Sequence, residues 1–215
     1  MGPRDDWFRR TSWTDADQGE FERRLARARP LKRPQYLRIQ SVHLVQTGDP
    51  ALIQVAQSLI DQFLREYGDD VEIAFVHELR GQGHEALDEV LPALNCYRQA
   101  MAAERRRPNV QSNAWLRFGW LVIRRKLTSL YVEADNVLDE FAKLMPFPYE
   151  RYRYHSIRAI VAAHRGYVSK AKEEAGLALA AAAAAHSGFR YRPALGLVND
   201  AGEEMRGLLE ILAAG

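Results

Sequence analysis

Two histidines and a glutamate stand close together in the stretch HELRGQGHEAL, from His77 to Leu87, and these residue types bind zinc. A helix can hold a zinc ion between two histidines four residues apart, because both imidazoles then lie on one face within reach of one ion. His77 and His84 are seven residues apart, which on a helix places them about 10 Å apart along the axis. Gly81 occupies the position that the second ligand would need. The stretch therefore predicts no metal site.

A serine and a histidine also lie together in HSGFRYRPALGLV, from His186 to Val198. No acidic residue accompanies them in the pattern of a catalytic triad, and the chain contains no phosphate-binding loop, dinucleotide-binding glycine motif or nucleophile elbow. The single cysteine, Cys96, lies in a stretch of helical pattern, which favours a buried apolar role over a nucleophile. We therefore expect a protein that is not an enzyme and that uses no cofactor, and we interpret this stretch as a structured connector.

Arginine clusters that include aromatic residues are the next candidates, because nucleic-acid surfaces often combine the two. They are RRLARARPLKR (Arg23–Arg33), ERRRP (Glu104–Pro108), IRRK (Ile123–Lys126) and YERYRYHSIR (Tyr149–Arg158). However, 30 basic against 28 acidic residues leave a net charge of only +2, so the whole chain is no strong polyanion binder. Nucleic-acid binding through this Arg/Tyr-rich face is therefore the alternative hypothesis and not the first.

The composition, 47% hydrophobic and 27% charged, is that of an ordinary globular chain with a substantial core. A single cysteine excludes an internal disulfide framework and suits a reducing compartment. No apolar run reaches the ~18 residues that a membrane span needs, and no apolar segment of secretory type follows the first residues. These features predict a cytoplasmic protein without a membrane partner.

Helical periodicity recurs along the chain, whereas alternating stretches of strand type are almost absent, so we predict an all-α fold. Thr14 followed by Asp15 and Asp17 has the form of a capped helix start, and this helix should end near Ala28, before Pro30. Six polar stretches with a breaker or cap residue then separate segments of helical length. They are Thr47–Pro50, Tyr67–Asp70, Arg105–Asn109, Arg125–Ser129, Met145–Pro148 and His164–Tyr167. The pattern predicts successive antiparallel helices joined by short loops.

Small residues recur about every forty positions in these segments, and this is typical of helix pairs that pack closely. They are Ser41, Gly81, Gly119 and Ala159, at spacings of 40, 38 and 40 residues. The stretch WLRFGWLV, from Trp115 to Val122, closely resembles the first-helix signature of the tetratricopeptide repeat, W-x2-L-G-x2-Y. Phe118 stands for its leucine and Val122 for its tyrosine, and Gly119 is its small residue.

The second-helix signature of that family, A-x3-F-x2-A, also finds counterparts in four units. They are Ala56, Ile60 and Phe63; Ala93, Tyr97 and Ala100; Ala134, Leu138 and Phe141; and Ala171, Ala175 and Ala178. The period is nearer 40 than the family's 34, and only the third unit keeps the tryptophan.

The resemblance implies helix-hairpin repeats stacked as a right-handed superhelix, an α-solenoid, in a single domain over residues 1–215. Residues 1–32 would form an amino-terminal segment and capping helix, residues 33–186 about four helix pairs, and residues 187–215 a connector and a carboxyl-terminal capping helix.

The family binds its partners along the concave side, which the first helices line, and the resemblance transfers those positions by register. We expect the groove positions to be Gln35, Arg38, Glu78, Gln82, Asn113, Leu116, Trp120, Arg153 and Ser156, with Arg117 and Arg124 nearby. An exposed Trp120 flanked by arginines would anchor a peptide of acidic or aromatic character, although a core position for Trp120 is an equal alternative.

The function that these expectations favour is a non-catalytic protein-protein interaction module: an adaptor, a scaffold or a regulatory, immunity-type binder. The resemblance implies a protein or peptide partner held in the groove. Exposed leucines at a repeat edge could equally make the chain a homodimer.

Overall fold

The computed structural model describes residues 6–142, 145–199 and 202–215, and in these residues the chain forms ten α-helices and no strand. The helices are α1 (Asp15–Arg27), α2 (Arg33–Val45), α3 (Pro50–Glu66), α4 (Ile73–Ala86), α5 (Val90–Arg106), α6 (Ala114–Arg124), α7 (Tyr131–Phe141), α8 (Pro148–His164), α9 (Val168–Ala182) and α10 (Glu203–Ala214). The predicted all-α fold is confirmed. The chain falls into two compact units, Met1–Ala114 and Trp115–Gly215.

Sequential helices pack against each other within each unit. In the first unit α2 packs on α3 and α4 packs on α5, and in the second unit α8 packs on α9, which also carries α10. Most of these neighbours form sequential antiparallel pairs, as the loop pattern predicts. The single domain, the stacking of all pairs as one superhelix and its handedness stay predictions.

The start of α1 is the clearest local prediction that the structure confirms. Thr14 is the N-cap: its Oγ1 accepts a hydrogen bond of 3.2 Å from the backbone N–H of Asp17. Oδ2 of Asp17 in turn accepts a hydrogen bond of 2.9 Å from the backbone N–H of Thr14. This reciprocal pair satisfies two backbone donors that a helix end otherwise leaves without partners. The helix ends at Arg27, one residue before the predicted end.

The segment before α1 is attached to the first unit through a buried glutamine that the sequence pattern does not single out. Gln40 of α2 has no exposed surface. Its Oε1 accepts from the backbone N–H of Arg10 at 3.0 Å, and its Nε2 donates to the carbonyl of Arg10 at 2.8 Å. Trp7 lies beside Phe21 and Tyr36, with ring centroids 5.2 and 5.0 Å away. The amino-terminal segment therefore packs on α1 and α2.

One helix boundary has no glycine or proline to mark it. The turn Leu87–Glu89 separates α4 from α5, and Asp88 there adopts a left-handed backbone with φ of 62°. Aspartate is among the few non-glycine residues that tolerate this conformation. No breaker at this turn was therefore available to the sequence prediction.

The second-helix signature positions face the interior. Eleven of the twelve are buried, namely Ala56, Ile60, Phe63, Ala93, Tyr97, Ala100, Ala134, Leu138, Ala171, Ala175 and Ala178, and only Phe141 is half-buried. The four small first-helix residues are also buried. Their nearest neighbours differ, however, since a Cβ atom on Gly81 would meet Tyr97 of its own helix pair, whereas one on Gly119 would meet Ile157 of α8. The spacing thus predicts burial correctly, and the identity of the repeat stays a prediction.

Candidate binding cavity in the second unit

The predicted groove residues separate into two groups that each meet in space. Glu78, Gln82 and Asn113 come together in the first unit. Trp120, Arg124 and Arg153 come together around one cavity in the second unit. Arg38, Arg117 and Ser156 belong to neither group.

Glu78 is buried, so the expectation that it is an exposed groove position is wrong. Its Oε2 accepts from the backbone N–H of Asn113 at 3.1 Å, and its Oε1 accepts from Nε2 of Gln82 at 3.1 Å. The buried carboxylate of Glu104 likewise accepts from the backbone N–H of Ser112 at 3.0 Å. The two glutamates therefore hold the residues that precede α6, because backbone donors at a helix start need acceptors.

The remaining three predicted positions have separate environments. Nε of Arg38 lies 3.1 Å from Oε1 of Glu72 as an ion pair without hydrogen-bond alignment. Arg117 is half-buried. Ser156 has no exposed surface, and its hydroxyl donates to the carbonyl of Tyr152 at 2.6 Å. The expected exposure of Ser156 is therefore wrong, because a small polar residue facing inward on a helix bonds back to its own preceding turn.

The cavity in the second unit has a volume of about 770 Å³. Helices α6, α8 and α10 line it, together with the starts of the turn after α6 and of α7 and the segment Leu197–Asn199. Its wall residues on the three helices are Trp120, Ile123, Arg124, Tyr149, Tyr152, Arg153, Ile160, Glu203, Glu204, Met205 and Leu208. Cavities that bind ligands are typically of this size and are mostly apolar with a few polar groups.

Aromatic rings and one guanidinium form a stack on the α6 and α8 side. The ring centroids of Trp120 and Tyr152 lie 5.7 Å apart. Cζ of Arg153 lies 5.2 Å from the ring centroid of Trp120 and 5.8 Å from that of Tyr149. Trp120 is only 8% exposed, so it is a core residue that also borders the cavity. Both alternatives for Trp120 are thus partly right.

The sequence of α8 explains why these side chains share a wall. Tyr149, Tyr152 and Arg153 are spaced three and four residues apart, and a helix brings such residues onto one face. Trp120 and Arg124 have the four-residue spacing on α6. The Arg/Tyr cluster Tyr149–Arg158 was noted in the sequence for its composition, but its spacing is what predicts a shared face.

The connector after α9 closes another side of the cavity. The carbonyl of Gly196 accepts a hydrogen bond of 2.9 Å from the backbone N–H of Tyr149. Gly196 has φ of +69°, and a Cβ atom there would lie 2.6 Å from Cβ of Phe147. Phe189 stacks on Phe147 with ring centroids 5.4 Å apart. These contacts attach the connector to the start of α8 and bring Leu197–Asn199 to the cavity.

Charged groups of both signs border the cavity in different places. Arg124 and Lys126 end and follow α6, and Arg153 lies on α8, whereas Glu203 and Glu204 form the first turn of α10. Nζ of Lys126 lies 3.0 Å from Oε1 of Glu204 at the exposed edge. The cations therefore outnumber the carboxylates by one among these five residues.

The tyrosines of the cavity remain uncharged near neutral pH. Burial raises the pKa of Tyr131, and the cation of Lys126 opposes this shift. Burial and the carboxylate of Glu150 raise the pKa of Tyr149. Neither phenol therefore becomes an anion that would offset the arginines.

The histidine stretch lies on α4 and its carboxyl end. His77 is half-buried, and burial, with the cations of Arg80 and Arg106, lowers its pKa to about 4. Nδ1 of His84 lies 2.6 Å from Oε2 of Glu89. In the part of the chain that the structure describes, no group of three or more His, Cys, Asp or Glu residues is placed to hold a metal ion.

The serine of the connector takes part in a local turn. The hydroxyl of Ser187 donates to the carbonyl of Arg192 at 2.7 Å and accepts from the backbone N–H of Phe189 at 3.1 Å. Cys96 is buried, and this burial raises the pKa of its thiol. Among the described helices, none has the length and hydropathy needed to cross a membrane.

Comparison of the chain with protein-family models, with curated proteins and with solved structures finds no match in any of the three.

Proposed function

We propose that the protein is a non-catalytic interaction module and that the cavity of the second unit receives a segment of a protein partner. The observation that supports this proposal is the meeting of Trp120, Arg124 and Arg153 around one cavity of about 770 Å³. Aromatic and arginine side chains carry most of the binding free energy at many protein interfaces. A cavity of this size accommodates a few side chains of a partner.

The repeat interpretation belongs to the same proposal. In a tetratricopeptide-like array the first helix of each pair lines the binding side, and α6 and α8 would be the first helices of the third and fourth pairs. Both helices border the cavity, as does α10, which follows the fourth pair. The burial of the second-helix signature positions also supports this register.

Nucleic-acid binding receives less support, because protein groups engage several arginines of the clusters. Arg158 pairs with Asp135, with Nη1 and Oδ1 2.7 Å apart. Arg33 donates to the carbonyl of Ala26 at 2.7 Å, and Arg151 donates to the carbonyl of Met145 at 2.9 Å. A cation that neutralises a carboxylate or a helix end contributes less to a phosphate surface.

Affinity capture from the native host with quantitative mass spectrometry tests the proposal. The bait is the full chain, compared with Arg124→Glu, which reverses a charge at the cavity, and with Lys170→Glu, which reverses an exposed charge on α9 outside it. We expect one protein partner to be lost with Arg124→Glu and retained with Lys170→Glu. Direct titration of that purified partner should reproduce the difference. Capture of nucleic acid alone, or equal capture by all three baits, would contradict the proposal.

A further inference from the structure

We propose that the segment received by the cavity carries an aromatic side chain and a carboxylate on adjacent residues. This inference rests on the proposed function and specifies the chemistry of the occupant. Its basis is the position of one cation, Arg153, directly beside the aromatic wall. The ring of the occupant would pack on that wall, and its carboxylate would meet the guanidinium.

The aromatic part of the occupant follows from the surface available inside the cavity. The tilted pair of Trp120 and Tyr152 offers ring faces and edges, and Ile160 and Leu208 add aliphatic surface around them. Aromatic rings prefer offset or edge-to-face contacts at centroid distances of about 4.5–7 Å, and a partner ring would gain such contacts on this wall. A charged or small polar side chain would lose hydration there without an equal gain.

The carboxylate follows from the stacked arginine. The guanidinium of Arg153 lies over Trp120 and within 5.8 Å of the centroid of Tyr149, so its charge is held at a defined place and not on a mobile surface side chain. A guanidinium is planar and has five N–H donors, which suits a carboxylate. A ring that packs against Trp120 places the side chain of the adjacent residue a few ångströms away, at the distance of this cation.

The first turn of α10 limits the number of acidic groups. Glu203 borders the cavity opposite the arginines, and Glu204 pairs with Lys126 at 3.0 Å. Like charges brought together in a partly dehydrated site repel one another. The site therefore favours one carboxylate beside the ring and disfavours a run of acidic residues.

Three blocked dipeptides separate the two parts of the inference. They are acetyl-Asp-Phe-amide, its uncharged isostere acetyl-Asn-Phe-amide, and acetyl-Asp-Ala-amide, which lacks the ring. Each is titrated into the ¹⁵N-labelled full chain, and amide shifts of residues 120–128, 149–160 and 202–208 report binding. We expect acetyl-Asp-Phe-amide to bind roughly tenfold more tightly than either of the other two, which is the effect of one charge-assisted contact or one buried ring.

Variants then assign the carboxylate to Arg153. Arg153→Met keeps an unbranched side chain against Trp120 and removes the charge, so it should bind the Asp and Asn dipeptides equally. Arg153→Lys keeps the charge without the planar donors and should retain part of the preference. Lys170→Glu should behave as wild type. If Arg153→Met is unfolded by circular dichroism, Arg124→Gln at the exposed rim replaces it and should reduce the preference.

The outcomes distinguish this inference from the proposed function. Equal binding of the Asp and Asn dipeptides to the wild-type chain overturns the carboxylate. A stronger response to acetyl-Asp-Ala-amide than to acetyl-Asn-Phe-amide overturns the ring as the main contact. Shifts that occur outside the cavity, or no shifts with any dipeptide, overturn the inference as a whole. The proposed function stands or falls separately on whether Arg124→Glu loses a captured protein partner.

Discussion

No side chain larger than hydrogen fits between Gly81 of α4 and the ring of Tyr97 of α5, because a Cβ atom on Gly81 would lie 2.5 Å from Cε1 of that ring. Tyr97 has no exposed surface, and its hydroxyl donates to Oε2 of Glu85 at 2.8 Å, so the ring is held at its hydroxyl end. This close approach accounts for a glycine in the interior of a helix, where glycine costs about 1 kcal/mol relative to alanine.

Replacing Gly81 by alanine should therefore lower the free energy of unfolding in spite of the better helix propensity. We expect a net loss of about 1–2 kcal/mol, because overpacking a well-filled core costs about 1–3 kcal/mol. Gly176→Ala on α9 is the matched control, since a Cβ atom there meets nothing within 4 Å. It should stabilise the chain by about 0.5–1 kcal/mol. Urea unfolding measures both, and equal effects of the two substitutions would contradict the packing argument.

The stacked Arg153 should contribute to the stability of the second unit. Its guanidinium lies over Trp120, which is only 8% exposed, so the cation–π contact is partly dehydrated. We expect Arg153→Ala to cost about 1 kcal/mol or more in the free energy of unfolding. Arg190→Ala is the comparison, because Arg190 lies over Tyr191, whose exposure is 84%. That exposed stack should contribute at most about 0.5 kcal/mol. A larger loss for Arg190→Ala would refute this ranking.

Arg158 joins α8 to α7 through a buried ion pair. Its Nη1 lies 2.7 Å from Oδ1 of Asp135, and the two side chains are only 9% and 13% exposed. Removing one partner leaves a buried charge, so Arg158→Ala should lower the free energy of unfolding by about 3 kcal/mol. Arg206→Ala breaks an exposed pair with Glu210 and should cost about 0.5 kcal/mol or less. Thermal and urea unfolding of the two variants test this difference, and similar losses would show that burial does not decide the effect.

His77 should make the stability of the chain depend on acidity. Burial, with Arg80 and Arg106, lowers its pKa to about 4 in the folded chain, whereas an unfolded chain has a histidine pKa of about 6.5. Above pH 6.5 both states are neutral at this site. As the pH falls from 6.5 towards 4, only the unfolded state takes up the proton, so the free energy of unfolding decreases over this window.

His77→Leu should therefore flatten the pH dependence of stability between about pH 6.5 and 4, because leucine binds no proton in either state. Urea unfolding at several pH values measures the slope. The imidazole resonances of His77 in the native chain provide an independent measurement, and their shift should have a midpoint near pH 4. A midpoint near 6.5 would show that the ring is hydrated in the folded state.

Some groove residues could be predicted from the sequence and others could not. Trp120, Arg124 and Arg153 do border one cavity, because their three- and four-residue spacings relative to neighbouring wall residues set a shared helix face. Glu78 and Ser156 were expected on an exposed face and are buried. Register on a helix states which side a residue is on, but it does not state whether a loop or another helix covers that side. Two of the missed wall residues, Tyr149 and Tyr152, had a usable signal in their spacing.

The sequence by itself determined the helical class, the start and end of α1, most loop positions and the burial of the second-helix positions. These properties depend on local hydrogen bonding and on the periodicity of apolar residues, which are written in neighbouring positions. Only the tertiary structure decided that Gly81 meets Tyr97 while Gly119 meets Ile157, and that α10 and the connector border the cavity with α6 and α8. The physical reason is that periodicity reports that a side chain is covered, whereas the neighbour that covers it depends on helix crossing angles and loop paths over long sequence distances.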